Sequence, residues 1–163
     1  WLRRAPFGPP SDSAFAGASA SASRKGNVLG SIVDGDWRTF QVTYCSSKAE
    51  LDWHEVKLAE PAKISLVIFR HGRSFHDGGW FDTSQGKPEV QTLDSVTGKW
   101  QKVGRLSSYP QTTSSRPVRL HDGQEFRLRI EPREILGIRV TGKPASGDDP
   151  TQNFTSCSEI AGY

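Results

Sequence analysis

Short segments in which apolar and polar residues alternate make up most of this chain. The clearest stretch is Phe126, Leu128 and Ile130, set between Arg127 and Arg129. The same alternation recurs after Trp53, over 118–120 and over 136–140. Because alternate residues of a strand point to opposite faces, this period of two predicts strands with one buried face. The run 64–70 is nearly all apolar, which is typical of a strand covered on both faces.

The strand signals are separated by turn signals, and no segment has a helical period. Glycine-containing turn pairs occur at 34–35, 97–98 and 122–123. This pattern predicts an all-β, antiparallel sandwich. The segments 71–88, 105–115 and 143–156 are too long for hairpin turns, and we expect function to lie on them. Residues 1–16 are rich in Pro, Gly and Ser and are predicted to be a linker or N-terminal extension, leaving 17–163 as the domain.

Length and charge narrow the possible partners. A chain of 163 residues is enough for one domain with its own core. The net charge is only +3, and the Lys and Arg residues are dispersed rather than clustered, so nucleic acid is not an expected partner. No apolar run reaches the roughly 20 residues that span a bilayer. The chain begins at Trp1 and contains no Met, so we expect a processed protein or a fragment of a longer one.

Two cysteines, Cys45 and Cys157, leave two interpretations open. One is a single disulfide that closes a very long loop, which would suit an oxidising compartment. The other is two buried free thiols that behave as small apolar side chains. The disulfide is the prediction.

The segment 31–39 concentrates oxygen donors around an Asp-Gly turn. Asp34 and Asp36 flank Gly35, and the Thr39 hydroxyl follows three residues later. Calcium binds six to eight hard oxygen ligands, so such a turn needs a further acidic residue from elsewhere in the chain. A plain turn without a metal is the alternative.

These motifs, in their order, resemble the discoidin or coagulation factor C-type (galactose-binding-like) family, and carbohydrate-binding module family 32 in particular. The similar segments are Val33-Asp34-Gly35-Asp36-Trp37-Arg38-Thr39, Asp52-Trp53-His54-Glu55-Val56-Lys57-Leu58, Ile68-Phe69-Arg70, Gly137-Ile138-Arg139-Val140 and Phe154-Thr155-Ser156-Cys157-Ser158-Glu159. The resemblance implies a jelly-roll sandwich of about eight strands with a structural Ca²⁺. The implied ligands are Asp34, Asp36, Thr39 and Glu159, with the carbonyls of Ser31 and Ser158.

The resemblance also implies a carbohydrate site on loops at one end of the sandwich. Sugars offer apolar C–H faces to aromatic rings and a rim of hydroxyls to planar polar groups. The matching segment is 70–82, which is dense in Arg, His, Asp and aromatic residues. The candidate ligand-binding residues are Arg70, His71, Arg73, Phe75, His76, Asp77, Trp80 and Phe154. Two alternatives stay open: Trp80 or Phe81 in the core, and Arg70 in an ion pair with Asp77 or Asp82.

The sequence contains none of the common catalytic motifs. It has no Gly-x-Ser-x-Gly elbow and no His-Glu-x-x-His pair. We therefore expect a non-catalytic, secreted or cell-surface module that binds a galactose-type or anionic polysaccharide and is covalently linked to a glycan-active enzyme. The alternative is an adhesion module that binds protein or phospholipid through the same loops, although a membrane is not the expected partner because the apolar loop residues are interleaved with charged ones.

Overall fold

The computed structural model describes residues 14–15, 18–24, 26 and 32–163. These residues form eight strands: β1 (Ser19–Ala22), β2 (Gln41–Val42), β3 (Asp52–His71), β4 (Phe81–Asp82), β5 (Glu89–Asp94), β6 (Trp100–Arg105), β7 (Glu125–Pro144) and β8 (Ser156–Gly162). All the strand pairs are antiparallel. Within the described residues there is no helix long and apolar enough to cross a membrane.

Two strands of twenty residues each, β3 and β7, organise the fold. They pair with each other along most of their length, with register shifts between Lys57 and Ala62 and between Ile64 and Leu66. The strands form one continuous ladder ordered β2-β8-β3-β7-β5-β6, with β1 paired to β3 and β4 paired to β7. We call the part around the first half of β3 (β1-β3-β7-β5-β6) the first sheet, and the part in which the second half of β3 lies beside β8 (β2-β8-β3-β7) the second sheet. The two sheets form the two layers of an antiparallel jelly-roll β-sandwich, as the sequence predicts.

The core lies between the layers because each strand buries alternate residues. In the first sheet Val56, Ile138 and Val140 are fully buried, and in the second Phe69 and Phe126 face them. Arg127 and Arg129, which alternate with Phe126 and Leu128, are exposed, as the alternation predicts. Burying aromatic and branched side chains in this way supplies most of the folding free energy, at about 25 cal/mol per Å² of apolar surface.

One strand signal in the sequence differs from the structure. Residues 118–120 alternate but form a turn, since Pro117 accepts from the Leu120 amide and Arg119 has a φ of 59°. Most of the predicted extension 1–16 lies outside the described residues. Phe15, however, is buried in the core, and the Ala14 amide donates to the Gly162 carbonyl at 3.0 Å. Phe15 therefore packs against the domain, and the division between an extension 1–16 and a domain 17–163 stays a prediction.

The predicted disulfide is wrong, since Cys45 and Cys157 are both free. Cys157 lies opposite Gln41 in the β2–β8 ladder, and Cys45 is four residues beyond Gln41. The Cys157 thiol is buried in the core, whereas Cys45 is exposed.

Candidate functional site

Loops from several strands meet at one end of the sandwich, which we call the apex. It is the end at which β3 finishes and β7 and β8 begin. Backbone hydrogen bonds join the loops: the Gly123 amide donates to the His71 carbonyl at 3.0 Å, and the Gly79 amide donates to the Phe154 carbonyl at 3.0 Å. Three segments that are distant in sequence therefore form one surface.

The acidic turn lies at this apex, and its side chains are engaged in local hydrogen bonds. The Asp34 carboxylate accepts from the Asp36 amide at 2.8 Å and from the Thr39 hydroxyl at 2.6 Å. Asp36 forms an ion pair with Arg38, with Nε and Oδ1 2.9 Å apart. Gly35 has a φ of 76°, a left-handed conformation that glycine adopts without strain, and it closes the turn.

Glu159 reaches this turn from β8. The Gly35 amide donates to its carboxylate at 3.2 Å, which brings Glu159 to the turn that carries Asp34 and Asp36, 124 residues before it along the chain at Gly35. The Glu159 side chain is almost completely buried. Burial, and then the charge of Asp34, raise the pKa of Glu159 to about 8, although the Gly35 amide and Arg70 act in the opposite direction.

The turn has the oxygen donors that calcium prefers, but its acidic side chains are not clustered closely enough around one point. Asp34, Thr39 and Glu159 provide carboxylate and hydroxyl oxygens at one turn. No group of three or more His, Cys, Asp or Glu side chains in the described part of the chain is close enough to hold a metal ion directly. Ser31 lies outside the described residues. The Ser158 hydroxyl is used in the protein, since it donates to the Trp37 carbonyl at 2.9 Å and to the His71 carbonyl at 3.2 Å.

Arg70, the first candidate sugar ligand, is held inside the protein. Its guanidinium forms an ion pair with Glu125 and donates to the Gly123 carbonyl at 3.4 Å. Only 11% of its side chain is exposed. The sequence left an ion pair with Asp77 or Asp82 open, but the partner is Glu125, which β7 places directly opposite Arg70 in the ladder.

Three other candidates are buried, which corrects their predicted role as ligand contacts. Trp80 belongs to the core, and its indole N–H donates to the Thr113 carbonyl at 2.8 Å. His71 is fully buried, and burial lowers its pKa to about 3, so it is neutral. Phe154 is 3% exposed and packs with Phe40, Val42, Tyr44 and Phe75 in a separate aromatic cluster beneath the apex. Trp80 and Phe154 therefore support the apex from below.

The remaining four candidates lie on the surface together with two acidic residues from other loops. Arg73 is 59% exposed and lies 5.5 Å from the Phe75 ring centroid, while its Nε is 3.8 Å from Asp122. His76 is 79% exposed, and its Nδ1 is 3.0 Å from the Asp148 carboxylate. Asp77 is half-buried. We call Arg73, Phe75, His76, Asp77, Asp122 and Asp148 the apical rim.

Gly147 allows the two loops of the rim to approach each other. Its φ is 60°, and a side chain on it would lie 2.2 Å from the His76 carbonyl. The neighbouring Asp148 amide donates to that carbonyl at 2.8 Å, which holds Asp148 beside His76. The side-chain hydrogen bond to Asp148 is the main cause that raises the pKa of His76 above its ordinary value.

Asp122 and Asp148 were not among the residues predicted for the site. Asp122 was assigned only to a turn, although its carboxylate accepts from the Ser74 amide at 3.2 Å. Asp148 lies 72 residues from His76. The available signal was the long polar loop 143–156, which predicts function in general but not which of its acids contacts the 70–82 segment.

Comparison with solved structures identifies this fold. The family 32 carbohydrate-binding module from C. perfringens NanJ, in complex with galactose, is 18% identical and superimposes with a TM-score of 0.59 over 88% of this chain and 91% of that one. CpGH89CBM32-5 from Clostridium perfringens, in complex with GalNAc-β-1,3-galactose, is 13% identical, with a TM-score of 0.59 over 89% and 94%. Chitosan-binding module 1 from a Paenibacillus sp. IK-5 chitosanase/glucanase is 17% identical, with a TM-score of 0.58 over 93% and 98%. No protein-family model matches the chain, and no curated protein matches it in sequence.

Proposed function

We propose that this chain, which has the galactose-binding-like fold of family 32 carbohydrate-binding modules, is itself a non-catalytic carbohydrate-binding module that binds glycan at the apical rim. The observation that supports this most directly is the rim itself. Exposed guanidinium, imidazole and carboxylate groups surround a half-buried aromatic ring at one end of a rigid sandwich. The fold alone does not determine the function, because one fold serves many functions; the support comes from the residues of the rim.

The chemistry of the rim suits a sugar. The half-buried Phe75 ring offers an apolar surface for sugar C–H groups. Arg73 and Asp148 offer N–H donors and carboxylate acceptors to sugar hydroxyls, and their exposure leaves them accessible. With few ordered polar groups in a shallow site, we expect modest affinity for a single sugar.

The proposed ligand is a galactose-type sugar or an anionic polysaccharide. Two of the solved neighbours were determined with galactose and with GalNAc-β-1,3-galactose, so galactose-type sugars are the first to test. An acidic sugar would be favoured by Arg73 and by His76, which carries a positive charge over a wider pH range because its pKa is raised. The flanking acids Asp77 and Asp122 work against a highly charged chain.

The weak affinity expected of the rim suggests that the module works as part of a larger protein. A shallow, weak site is useful when it is attached to another domain, because attachment raises the effective concentration of the partner. We propose that the module is secreted or at the cell surface and is covalently linked to an enzyme that acts on the same polysaccharide.

The proposal includes a structural calcium ion at the acidic turn. Asp34, Asp36, Thr39 and Glu159 would hold it, with the carbonyls of Ser31 and Ser158. The buried Glu159 carboxylate beside Asp34 supports this, since a divalent cation would stabilise two charges that burial and proximity disfavour. The ion would anchor the turn to β8 and so keep the neighbouring rim loops in place.

The test is glycan binding by wild type and by matched variants. We expect Arg73→Ala to weaken binding of galactose-terminated or uronic oligosaccharides by about tenfold or more, the equivalent of one lost charge-assisted hydrogen bond. Arg129→Ala, which removes an exposed arginine from β7, should bind as wild type. Isothermal titration calorimetry measures both. Equal affinity of Arg73→Ala and wild type would move the site away from the rim.

The adhesion alternative is tested in the same series. Wild-type protein that binds no glycan but pellets with phosphatidylserine vesicles would favour a headgroup-binding module. Among the described residues, the exposed large apolar side chains are Trp37, Leu51, Val96 and Val118; Trp37 lies on the acidic turn at the same apex, and none of the four is one of the six rim residues. Membrane-inserting loops need such side chains, so the rim favours a polar ligand.

A further inference from the structure

The outer face of the first sheet carries an ordered row of side chains across four strands. Trp53 of β3 lies opposite Thr141 of β7, Thr141 lies opposite Glu89 of β5, and Glu89 lies opposite Arg105 of β6. Residues directly opposite each other in a ladder point to the same face. Their neighbours Asp52, Val90 and Val140 point inward and are buried, so this row faces outward.

A groove of about 500 Å³ lies over this row. Its floor is formed by Trp53, Gln91, Arg139 and Thr141. Its walls come from two connections: Glu50 and Leu51 precede β3, and the segment 85–87 leads from β4 to β5. The volume falls in the range of small-molecule sites. No residue of the apical rim lines the groove.

Five of the seven charged side chains that line the groove are in ion pairs within the protein; the other two, Glu50 and Lys87, form no ion pair among the described residues and have opposite charges. Glu89 lies 3.5 Å from both Lys102 and Arg105, and Lys143 lies 3.2 Å from Asp82. A strongly charged ligand would have to displace one partner of each pair. A neutral ligand with many hydroxyls has no such cost, because paired carboxylates still accept hydrogen bonds and paired cations still donate them.

Trp53 gives the floor an ordered, apolar surface. The Arg139 guanidinium lies 4.5 Å from the Trp53 ring centroid and 4.2 Å from that of Trp100, and it donates to the Glu55 carboxylate at 2.6 and 2.9 Å. This stack fixes the indole before any ligand arrives. Leu51, which is 63% exposed, adds apolar surface at the edge of the groove.

From the matched charges, the ordered indole and the hydroxyl- and amide-bearing floor, we infer that this groove is a second carbohydrate-binding site, which takes a neutral oligosaccharide across the outer face of the first sheet. The site uses a different surface from the apical rim and does not depend on the rim binding glycan. A module with both sites would hold one polysaccharide chain at two points or bridge two chains.

The experiment is a titration with cellohexaose, xylohexaose and β-1,4-galactotetraose, followed by ¹H–¹⁵N NMR. The five Trp side chains give distinct indole signals, and Trp53→Phe assigns the one in the groove. We expect at least one neutral oligosaccharide to shift the Trp53 indole signal and the Gln91 side-chain amide signal.

Variants separate a groove site from an indirect effect. Trp53→Ala should weaken binding at the groove about tenfold or more, and Leu51→Arg, a change at an exposed position that the fold tolerates, should weaken it as well. Trp37→Ala is the matched control, because it removes an exposed tryptophan that neither lines the groove nor stacks on Arg139, and it should bind at the groove as wild type. Arg73→Ala should leave groove binding unchanged, whatever it does at the rim.

Four results would overturn the inference. One is that none of the three neutral oligosaccharides binds. The second is that the NMR shifts are confined to residues of the apical rim. The third is that Leu51→Arg and Trp53→Ala both bind as wild type. The fourth is that only a charged chain, such as an oligoguluronate, shifts the groove signals, which would refute the neutral ligand class.

Discussion

His76 and Asp148 form an exposed pair that two loops bring together. The imidazole Nδ1 lies 3.0 Å from the Asp148 carboxylate, and Asp77 and Asp149 add negative charge nearby. The pKa of His76 is therefore raised above its ordinary value, first by the hydrogen bond to Asp148 and then by its charge. The charged imidazole and its bond are present at acid pH and are lost as the pH rises through the raised pKa.

Replacing Asp148 with Asn should lower the pKa of His76 toward its ordinary value. The amide can still accept a hydrogen bond but no longer carries the charge that favours imidazolium. A pH titration of the imidazole signals by NMR measures the shift. Asp122→Asn, a change in the same rim that does not touch His76, should leave the titration where it is. An unchanged midpoint in Asp148→Asn would mean that the pair does not form in solution.

At the residue scale the sequence predicted which types of residue gather at the apex but not which side chains face solvent. Arg73 and His76 follow β3 closely in sequence and are exposed, as expected. Trp80 lies in the same loop segment, yet it turns inward because β4 follows immediately and the Thr113 carbonyl accepts its N–H. Such a partner from a distant loop has no local signal in the sequence.

Arg24 shows how one buried ion pair joins separate elements. Its guanidinium donates to Asp52 at 2.6 and 2.8 Å, to the Ser47 carbonyl at 2.9 Å and to the Asn153 carbonyl at 2.6 Å. The segment after β1 is thereby tied to the start of β3 and to the loop before β8. Asp52 is completely buried and also accepts from the Thr43 hydroxyl at 2.5 Å.

Asp52→Ala should lower the free energy of unfolding by about 3–5 kcal/mol, since it leaves the largely buried Arg24 charge without its partner. Urea denaturation monitored by tryptophan fluorescence gives this value. Glu131→Ala, at an exposed position of β7, should change it by no more than about 0.5 kcal/mol. A similarly small effect in Asp52→Ala would show that solvent reaches Arg24 and compensates its charge.

Elements were predicted best where one face is buried and the other solvated. The first part of β7, around Phe126, follows the period of two because the core lies on one side of it only. The alternation of 118–120 did not correspond to a strand, since Val118 is exposed and Leu120 is buried by a turn. Nothing in the local pattern indicated that β3 and β7 each continue through both sheets, because that continuity depends on how the two strands pair with each other.

At the scale of the whole molecule, the turn at Asp34 and the last strand are joined through Glu159. The Gly35 amide is the observed link, and its hydrogen bonds to Glu159 span 124 residues of sequence. Closing so long a loop lowers the conformational entropy of the chain. A bound ion would offset part of this loss, because it would bind the folded state and stabilise it. We therefore expect the proposed calcium ion to have a measurable effect on stability.

Calcium should raise the melting temperature of the protein, and chelation with EDTA should lower it without abolishing the fold. Asp34→Asn should remove most of the calcium-dependent shift, because it deletes one charged ligand from the proposed set. Glu131→Gln, an exposed acid far from the turn in sequence, should keep the full shift. Differential scanning calorimetry with and without calcium measures all three proteins. Identical melting curves of the wild type under both conditions would rule out the ion.

The twenty-residue length of β3 and β7 governs how the domain comes apart. Each strand contributes one half to either layer, so neither layer is a self-contained chain segment that separates while the other persists. Strain applied at one layer passes along the backbone into the other. Heat or mechanical force should accordingly dismantle the molecule in one cooperative step, without an intermediate that keeps a single sheet intact.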